Sequence, residues 1–499
     1  MRYCVAKANA TNSTNTIDTT DSRSMGAQWG KIAVKEVVSA LGGRQISGSP
    51  ERFVRGLSTD SRRMAPGHMF LALRGERYNG HSFLSEAVDA GAAGVIVESD
   101  TTIPQELTNN NLAVITVSST LKALGDLAMW WRRQWGGRVI AITGSNGKST
   151  TKEMAASILS LKAHTMKSPG NFNNLIGLPL TVLSLEEDHE IAVLEMGMNR
   201  AGEIARLTQI AEPDIGVITN VARAHLEGLG DLQGVVKAKG ELLQVMSQES
   251  TAILNGDDES TARLASTFQG PIVTFGLGKM NEVRAGNIKR IGVCTQAFTI
   301  DINNERIRAK INLPGIHNVF NALGAAAIAV CSSISKELIA QGLEDFRPLK
   351  GRFQIIDLKG GIQIIDDTYN SNPSSLGAAL QTIKELTVKR QALVVGLGEM
   401  MELGNETSKY HFDAGQLIAG MGARYLVVLG EHGRQVIEGA CRGGMDITQT
   451  HLATTHTDMI NAIKANAREG DIVFLKGSRK VALDKVVEDI KGYFGVGKG

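Results

Sequence analysis

Short, nearly continuous runs of apolar residues recur along this chain of 499 residues, and helical stretches separate them. In the middle of the chain these runs occupy residues 138–143, 191–195, 215–220, 252–255 and 271–275. A strand with apolar side chains on both faces must be buried on both faces, and a parallel sheet between two layers of helices provides that burial. The pattern therefore predicts an α/β fold with a mainly parallel central sheet.

The chain is long enough for about three domains of 100–200 residues each. We predict a small N-terminal α/β domain at residues 28–136, a central domain at 137–348 and a C-terminal Rossmann-like domain at 349–499. The last has strands at 362–366, 393–395, 425–429 and 471–475, each followed by a helical stretch, which is typical of a doubly wound sheet. Residues 1–27 are rich in threonine, asparagine and serine, and we predict a flexible tail there.

Composition excludes several classes of protein. The 53 Lys and Arg residues nearly balance the 51 Asp and Glu residues, and aromatic residues make up only 5%, which argues against a nucleic-acid partner. The four cysteines at positions 4, 294, 331 and 441 are too far apart for a zinc motif or a disulfide framework. The longest apolar run, residues 322–331, is much shorter than the ~20 residues that span a bilayer. We therefore expect a soluble, cytoplasmic protein that is not inserted in a membrane.

The strongest local motif is a phosphate-binding loop. A buried strand at 138–143 leads into a glycine-rich turn and then into a helix, and the turn contains Gly144, Ser145, Asn146, Gly147, Lys148, Ser149 and Thr150. Backbone N–H groups in such a turn bind phosphate oxygens, helped by the positive end of the helix dipole. Lys148 would reach the β- and γ-phosphates, and the Ser149 hydroxyl would bind Mg²⁺. The first glycine of a full Walker A motif is missing, because that position is Ile142.

A carboxylate at the end of the next buried strand completes the pattern. Glu195 follows the apolar run at 191–194, which is the position of a Walker B acid opposite a phosphate loop. The alternative is a strand-end acid that faces solvent. We predict that Glu195 binds the same Mg²⁺ ion.

These motifs together resemble those of the Mur ligase family. Residues 143–149 are similar to the Thr-Gly-x-x-Gly-Lys-Thr/Ser loop of that family, which also lacks the first Walker glycine. Further segments recur in the family's order: a histidine segment at 220–227, a lysine at Lys239, an adenine-side segment at 315–321 and an arginine at Arg352. The resemblance covers residues 30–495. It implies a three-domain α/β fold with a UDP-binding N-terminal domain.

Three segments resemble the family members that add D-alanyl-D-alanine. They lie at residues 169–179, 366–373 and 398–404. In the last segment Glu399 stands where those members have aspartate. Members that add diaminopimelate or lysine would have an Asp-Asn-Pro-Arg segment in the C-terminal domain, and the sequence contains none.

The resemblance implies an ATP-dependent amide ligase, with ATP and Mg²⁺ as cofactors. It would join UDP-N-acetylmuramoyl-tripeptide to D-alanyl-D-alanine through an acyl phosphate, in a cytoplasmic step of peptidoglycan synthesis. Whether the third residue of the tripeptide is diaminopimelate or lysine stays open. We expect a monomer.

The resemblance also implies roles for individual residues. Lys148, His225 and Lys239 would be catalytic, and the metal ligands would be Ser149, Glu195, His225 and Lys239. In the family the lysine equivalent to Lys239 is carbamylated, which turns a cation that repels Mg²⁺ into an anion that binds it. Outside the phosphate loop, ATP would contact Asn318 at the adenine, with Asp367 and Arg352 at the ribose and the γ-phosphate.

Substrate contacts are implied in three places. In the N-terminal domain, Ser58, Asp60, Ser61 and Arg62 are similar to the UDP-binding module, although such clusters are often only turns. In the central domain, Asn173 and Asn174 either contact substrate or bond to the backbone of their own loop. In the C-terminal domain, substrate contacts are implied for Tyr369, Asn370 and Asn372.

Three other functions share some of these features. A folylpolyglutamate synthase would have the phosphate loop but usually lacks the N-terminal UDP module. A nucleotide-driven switch or translocase would need a recognition surface, which the neutral charge and few aromatic residues do not indicate. A P-loop kinase activity would give the third α/β domain no function.

Overall fold

A computed structural model describes residues 27–75, 78–109, 111–292, 294–302, 305–386 and 391–497. These residues form three sheets, and helices pack against each of them. The predicted tail lies outside the described residues except for its last residue, with which the first strand begins. The α/β fold class with three sheet regions is confirmed.

The N-terminal sheet has six strands in the order β1-β3-β4-β5-β6-β2. The four strands from β3 to β6 are parallel, and β1 and β2 pair antiparallel at the two edges. The strands are β1 (Ala27–Ala33), β2 (Arg44–Ser47), β3 (Phe53–Ser58), β4 (His68–Leu71), β5 (Gly94–Glu98) and β6 (Ala113–Val117). The helices are α1 (Val34–Leu41), α2 (Leu84–Asp89), α3 (Gln105–Asn109) and α4 (Thr120–Trp135).

The central sheet has nine strands in the order β15-β14-β13-β12-β11-β10-β7-β9-β8. It is parallel from β8 to β13, and β14 and β15 continue it antiparallel. The strands are β7 (Arg138–Thr143), β8 (Thr165–Lys167), β9 (Ile191–Glu195), β10 (Ile215–Ile218), β11 (Thr251–Asn255), β12 (Ile272–Gly276), β13 (Val283–Arg290), β14 (Gln296–Ile302) and β15 (Glu305–Ile311). The helices are α5 (Lys148–Leu159), α6 (Gly177–Leu183), α7 (Glu203–Ala211), α8 (Leu226–Leu229), α9 (Leu232–Val245), α10 (Glu259–Ala265), α11 (Ile316–Cys331) and α12 (Lys336–Asp345).

The third sheet has six strands in the order β16-β17-β21-β18-β19-β20, and all pairs except β16 with β17 are parallel. The strands are β16 (Gln354–Asp357), β17 (Gln363–Asp367), β18 (Leu393–Gly398), β19 (Tyr425–Leu429), β20 (Thr450–Ala453) and β21 (Ile472–Lys476). The helices are α13 (Pro373–Leu386), α14 (Thr407–Gly420), α15 (Gly433–Arg442), α16 (His456–Asn466) and α17 (Asp484–Phe494). The predicted domain boundaries at 136/137 and 348/349 lie between the sheets and stay predictions.

The strand β7 shows why its sequence is apolar throughout. Val139 and Ala141 belong to one hydrophobic core, and Ile140 and Ile142 belong to another on the opposite face of the sheet. Because β7 lies between β9 and β10, its carboxyl end opens where the strand order changes direction, which is where open α/β sheets bind ligands. Within the described residues, no helix is both long and apolar enough to cross a membrane.

Candidate active site

A cavity of about 890 Å³ lies between the carboxyl edge of the central sheet and the third sheet. Most of the predicted site residues line it. They are Ser145, Asn146, Gly147, Lys148, Ser149, Thr150, Asn173, Asn174, Glu195, His225, Asn318, Arg352, Asp367, Tyr369, Asn370 and Asn372. The structure thus brings together segments that are more than 200 residues apart in the sequence.

Two positions of the phosphate loop require glycine, because the backbone there has a positive φ and neighbouring atoms leave no room for a Cβ. Gly144 has φ of +148° and Gly147 has φ of +82°, and a Cβ on Gly147 would lie 2.2 Å from Oδ1 of Asn321. Asn220 holds the loop from the end of β10, because its Oδ1 accepts from the N–H of Asn146 and its Nδ2 donates to the Asn146 carbonyl, both at 2.9 Å. Contacts within the protein therefore stabilise the shape of the loop.

We expect Gly147→Ala to weaken ADP binding at least about tenfold, roughly 1.4 kcal/mol, by isothermal titration calorimetry. The new methyl group would displace Asn321 or the loop backbone. Gly202→Ala is the matched control, because Gly202 also precedes a helix with φ of +87° but has open space around its missing Cβ. Both variants carry the left-handed strain of about 1–2 kcal/mol, so equal loss of ADP binding in both would contradict a steric role specific to the loop.

Lys148 is the first residue of α5, and its ammonium folds back over the loop. The Nζ atom donates to the carbonyl of Gly144 at 2.7 Å. Burial lowers the pKa of Lys148, and the Glu195 carboxylate opposes that shift. A bound phosphate would supply the counter-charge that the loop carbonyls only partly replace.

Ser149 and Glu195 offer a donor set that fits a magnesium ion. Because β7 pairs in parallel with β9, Glu195 stands opposite Ile142 beside the loop, and it is only 2% exposed. Asn173 donates from Nδ2 to Oε1 of Glu195 at 2.8 Å, and Oε2 is buried without a hydrogen bond. The ammonium of Lys152 lies 3.9 Å from that oxygen. A buried carboxylate oxygen without a hydrogen bond and a serine hydroxyl that lines the same cavity are oxygen ligands of the kind that Mg²⁺ binds.

His225 and Lys239 differ in their position relative to the cavity. His225 precedes α8 with a left-handed backbone, and its Nδ1 lies 2.6 Å from Oε2 of Glu402. That contact lowers the pKa of the Glu402 carboxyl. Lys239, on α9, is 1% exposed and is not among the cavity-lining residues. Burial holds the pKa of Lys239 well below its ordinary value, and the charge of Lys148 lowers it further.

The third domain reaches the phosphate loop through several side chains. The Arg352 Nη2 donates to Oγ of Ser149 at 3.0 Å, and the guanidinium stacks 3.9 Å from the centre of the Tyr369 ring. Asn372 donates from Nδ2 to Oδ1 of Asn146 at 2.9 Å. These contacts close the cavity from the side of the third sheet.

Asp367 and Asn318 are held by neighbouring side chains. The Asp367 carboxylate lies 2.6 Å from the Lys476 ammonium, which also donates to the carbonyl of Asn370 at 3.0 Å. Asn318 donates to the Pro314 carbonyl at 2.7 Å and accepts from Nδ2 of Asn321 at 3.1 Å. Each side chain is therefore oriented on the cavity wall.

The predicted UDP-binding residues do not line this cavity. Ser58 ends β3, and its hydroxyl donates to the carbonyl of Asp60 at 2.9 Å. Asp60 accepts from the backbone of Arg62 and forms an ion pair with its guanidinium, while Ser61 donates to Glu86 at 3.0 Å. Asn174 lines the cavity, but its Oδ1 accepts from the N–H of Gly177 at 2.8 Å at the start of α6. The substrate roles of these residues stay predictions.

Among the cavity residues that the sequence does not single out, four contact predicted site residues: Asn220, Asn321, Glu402 and Lys476. Asn220 and Lys476 share one signal, a polar side chain at or just beyond the end of a buried strand, which is also how Glu195 was found. Asn321 lies in the 315–321 segment and Glu402 in the 398–404 segment. The resemblance identifies these segments as a whole and does not distinguish which of their residues line the cavity.

Comparisons with known proteins agree along nearly the whole chain. Three family models match it, "Mur ligase family, catalytic domain" at residues 53–131, "Mur ligase middle domain" at 142–329 and "Mur ligase, glutamate ligase domain" at 351–479. The UDP-N-acetylmuramoyl-tripeptide–D-alanyl-D-alanine ligase of Bacillus subtilis is 35% identical over 461 residues, which cover 92% of this chain and 98% of that relative.

Solved structures give the same result. The crystal structure of MurF from Acinetobacter baumannii has a TM-score of 0.84 at 31% identity and covers 93% of this chain and 100% of that one. The structure of MurF ligase from Thermotoga maritima in complex with ADP has a TM-score of 0.76 at 25% identity, with coverage of 88% and 97%. The agreement includes all three sheets.

Proposed function

The chain belongs to the Mur ligase family, and we propose that it is an ATP-dependent ligase that joins UDP-N-acetylmuramoyl-tripeptide to D-alanyl-D-alanine. One observation carries the proposal: the cavity combines a phosphate loop with the 366–373 and 398–404 segments that resemble the D-alanyl-D-alanine-adding members. The 35% identity to a relative of that name over 98% of its length supports it.

The reaction must make a poor electrophile reactive. The terminal carboxylate of the tripeptide attacks the γ-phosphorus of ATP, which gives an acyl phosphate and ADP. The amine of D-alanyl-D-alanine then attacks the acyl carbon, inorganic phosphate leaves with the electron pair of the C–O bond, and the nitrogen loses a proton. Lys148 and Arg352, which both line the cavity, would neutralise the phosphoryl charge and hold the reacting groups in line.

Ser149 and Glu195 would hold Mg²⁺ at the phosphates, and His225 with Lys239 would hold a second ion. Bound Mg²⁺ would supply positive charge to the phosphate oxygens. Asn173 orients the Glu195 carboxylate and leaves one of its oxygens free. Asn318 would contact the adenine, and Asp367 would contact the ribose.

We propose a carbamate on Lys239. Among the described residues, the Lys239 ammonium has no ion pair and no hydrogen bond, which is costly for a charge that is 1% exposed. The low pKa favours the neutral amine, and that amine can attack CO₂ to form an N–C bond, with loss of one proton. The resulting anion has the charge that a metal ligand needs.

The remaining substrate contacts would be distributed over the three domains. Ser58, Asp60, Ser61 and Arg62 would bind the UDP end in the N-terminal domain. Tyr369, Asn370 and Asn372 would bind D-alanyl-D-alanine, with Asn173 and Asn174 near the tripeptide. We expect a monomer, because one chain supplies every group named here, and a cytoplasmic location, because ATP is a substrate.

The test is phosphate release from ATP in a panel of co-substrates. We expect release only when UDP-N-acetylmuramoyl-tripeptide and D-alanyl-D-alanine are both present, because the acyl phosphate forms on one and is consumed by the other. Tripeptides with diaminopimelate or with lysine at the third position would identify the preferred acceptor. Release with a folate and glutamate instead would contradict the proposal and favour folylpolyglutamate synthesis.

A further inference from the structure

Two residues that face each other between the central and third domains both have a left-handed backbone. His225 has φ of +56° and Glu402 has φ of +65°. This conformation costs roughly 1–2 kcal/mol for a residue with a side chain, so it persists only where the surrounding structure enforces it. The two side chains meet with His225 Nδ1 at 2.6 Å from Glu402 Oε2.

The segment 399–402 is held rigidly within the third domain. The N–H of Met400 donates to Nε2 of His411 at 3.0 Å, and the N–H of Met401 donates to Oγ of Ser478 at 2.9 Å. The N–H of Ser478 in turn donates to the carbonyl of Glu399 at 3.0 Å. Glu402 therefore extends from a fixed support.

The cluster of Glu399, His411 and His432 belongs to this support and is not a metal site. Nδ1 of His411 lies 2.7 Å from the Thr407 carbonyl, and its Nε2 accepts from Met400, so both ring nitrogens are used. The Glu399 carboxylate lies 2.6 Å from Nδ1 of His432 and accepts from the His432 N–H at 3.1 Å. The glutamate at this position therefore braces the segment from within the third domain.

A second contact aligns the two segments. The N–H of Glu227, two residues after His225, donates to the Glu402 carbonyl at 3.2 Å. His225 lines the cavity, and in the described part of the chain no hydrogen bond is made to its Nε2. Nδ1 of His225 therefore lies within ion-pair distance of the Glu402 carboxylate, with its N–H not aligned on Oε2 as a hydrogen bond, and Nε2 is available.

We propose that Glu402 is a positioning residue for His225, which holds the ring in the Nδ1–H tautomer and leaves the Nε2 lone pair free. A histidine that binds a metal commonly donates its other N–H to a carboxylate, which fixes the tautomer and the ring orientation. Here the carboxylate comes from a different domain. The histidine therefore has its working geometry only while the third domain is docked on the central domain.

The tautomer can be measured on the ligand-free protein by ¹⁵N NMR after labelling of its ten histidines. At about pH 9, where an ordinary histidine is neutral, we expect His225 to be protonated at Nδ1 and unprotonated at Nε2. His225→Gln assigns its signals. Glu402→Ala should shift the ring toward the Nε2–H tautomer, while Glu406→Ala should leave the signals unchanged. Glu406 is the matched control, because it lies four residues after Glu402 in the same domain but contacts Tyr410 and Lys409.

A wild-type His225 that is protonated at Nε2 would overturn the proposal, even if Glu402→Ala does not fold. Unchanged His225 signals in a folded Glu402→Ala protein would also overturn it. The catalytic consequence rests on the proposed function: Glu402→Ala should lower kcat about 10–100-fold with little change in KM for ATP. The NMR result does not depend on turnover, so failure of the ligase assay and failure of this proposal are distinguishable.

Discussion

Replacing Lys148 with alanine is expected to lower ATP-dependent turnover by about 10²–10³-fold, the usual loss when one preorganised donor at a developing negative charge is removed. The ammonium sits inside the phosphate loop, 2.7 Å from the Gly144 carbonyl. No other side chain of the loop carries a positive charge, so nothing in the loop can replace it. Phosphate release with both co-substrates measures the effect.

The fold should survive this change. Burial lowers the pKa of Lys148, which means that the charged form is destabilised where it lies. Removing the charge therefore does not remove a stabilising ion pair. We expect an unchanged far-UV circular dichroism spectrum and a melting temperature close to that of the wild type.

Lys162→Ala is the matched control for this prediction. Lys162 lies just beyond the other end of α5, is exposed, and donates from Nζ to the Ser333 carbonyl at 3.0 Å. We expect its turnover to stay within about twofold of wild type, in line with the small effects usual for surface substitutions. A folded Lys148→Ala protein with wild-type turnover would contradict the assignment of the phosphate loop.

The core strands could be predicted because their apolar runs record burial on two faces. The run at 138–143 matches β7, and its alternate residues enter two separate cores. The runs at 191–195 and 425–429 also match strands residue for residue. Local hydrophobicity is sufficient where both faces of a strand are covered.

Other strands could not be found in this way. The strand β13, Val283–Arg290, is rich in polar and charged residues, and β2 at the sheet edge has no fully buried residue. These strands are stabilised by pairing with partners far along the chain, such as β2 with β6. Pairing of that kind leaves no periodic signal in the strand's own sequence.

The residues of the site can be divided in the same way, into those that the local sequence predicts and those that it does not. The phosphate loop and Glu195 could be predicted because each follows a buried strand directly. The contacts between domains could not: Arg352 with Ser149, and Glu402 with His225, depend on how two separately folded sheets dock. Local patterns also do not separate a ligand contact from a turn, and Asp60 and Asn174 both bond to nearby backbone.

Lys239 offers the other large effect, because its surroundings disfavour an ordinary ammonium. It is 1% exposed and has the charge of Lys148 nearby. Lys152 is equally buried, but its ammonium donates to the Ser168 carbonyl at 2.6 Å and lies 3.2 Å from the Glu153 carboxylate. The two lysines therefore differ in partners, not in burial, and of the two only Lys239 lacks a counter-charge among the residues that the structure describes. A carbamate on Lys239 would remove the repulsion from Lys148.

We expect Lys239→Ala to lose at least about 100-fold in turnover, the upper range for loss of a group that supports a metal, and formate or acetate to restore part of it. The deleted side chain leaves a space that a small anion can enter, and that anion would replace the charge of the carbamate. Lys152→Ala is the matched control, and carboxylates should not rescue it because the charge it has lost is positive. Protein incubated with ¹³C-bicarbonate should show a carbamate signal by ¹³C NMR in wild type and Lys152→Ala, and not in Lys239→Ala.

The kind of additive that restores turnover identifies the charge that the Lys239→Ala variant has lost. Rescue of Lys239→Ala by an alkylamine, or wild-type turnover without any additive, would mean that Lys239 acts as a cation or has no role in the reaction. The second metal site proposed for His225 and Lys239 would then be withdrawn. The phosphate loop with Ser149 and Glu195 would be unaffected, since Lys239 makes no hydrogen bond or ion pair with either of them in the described structure.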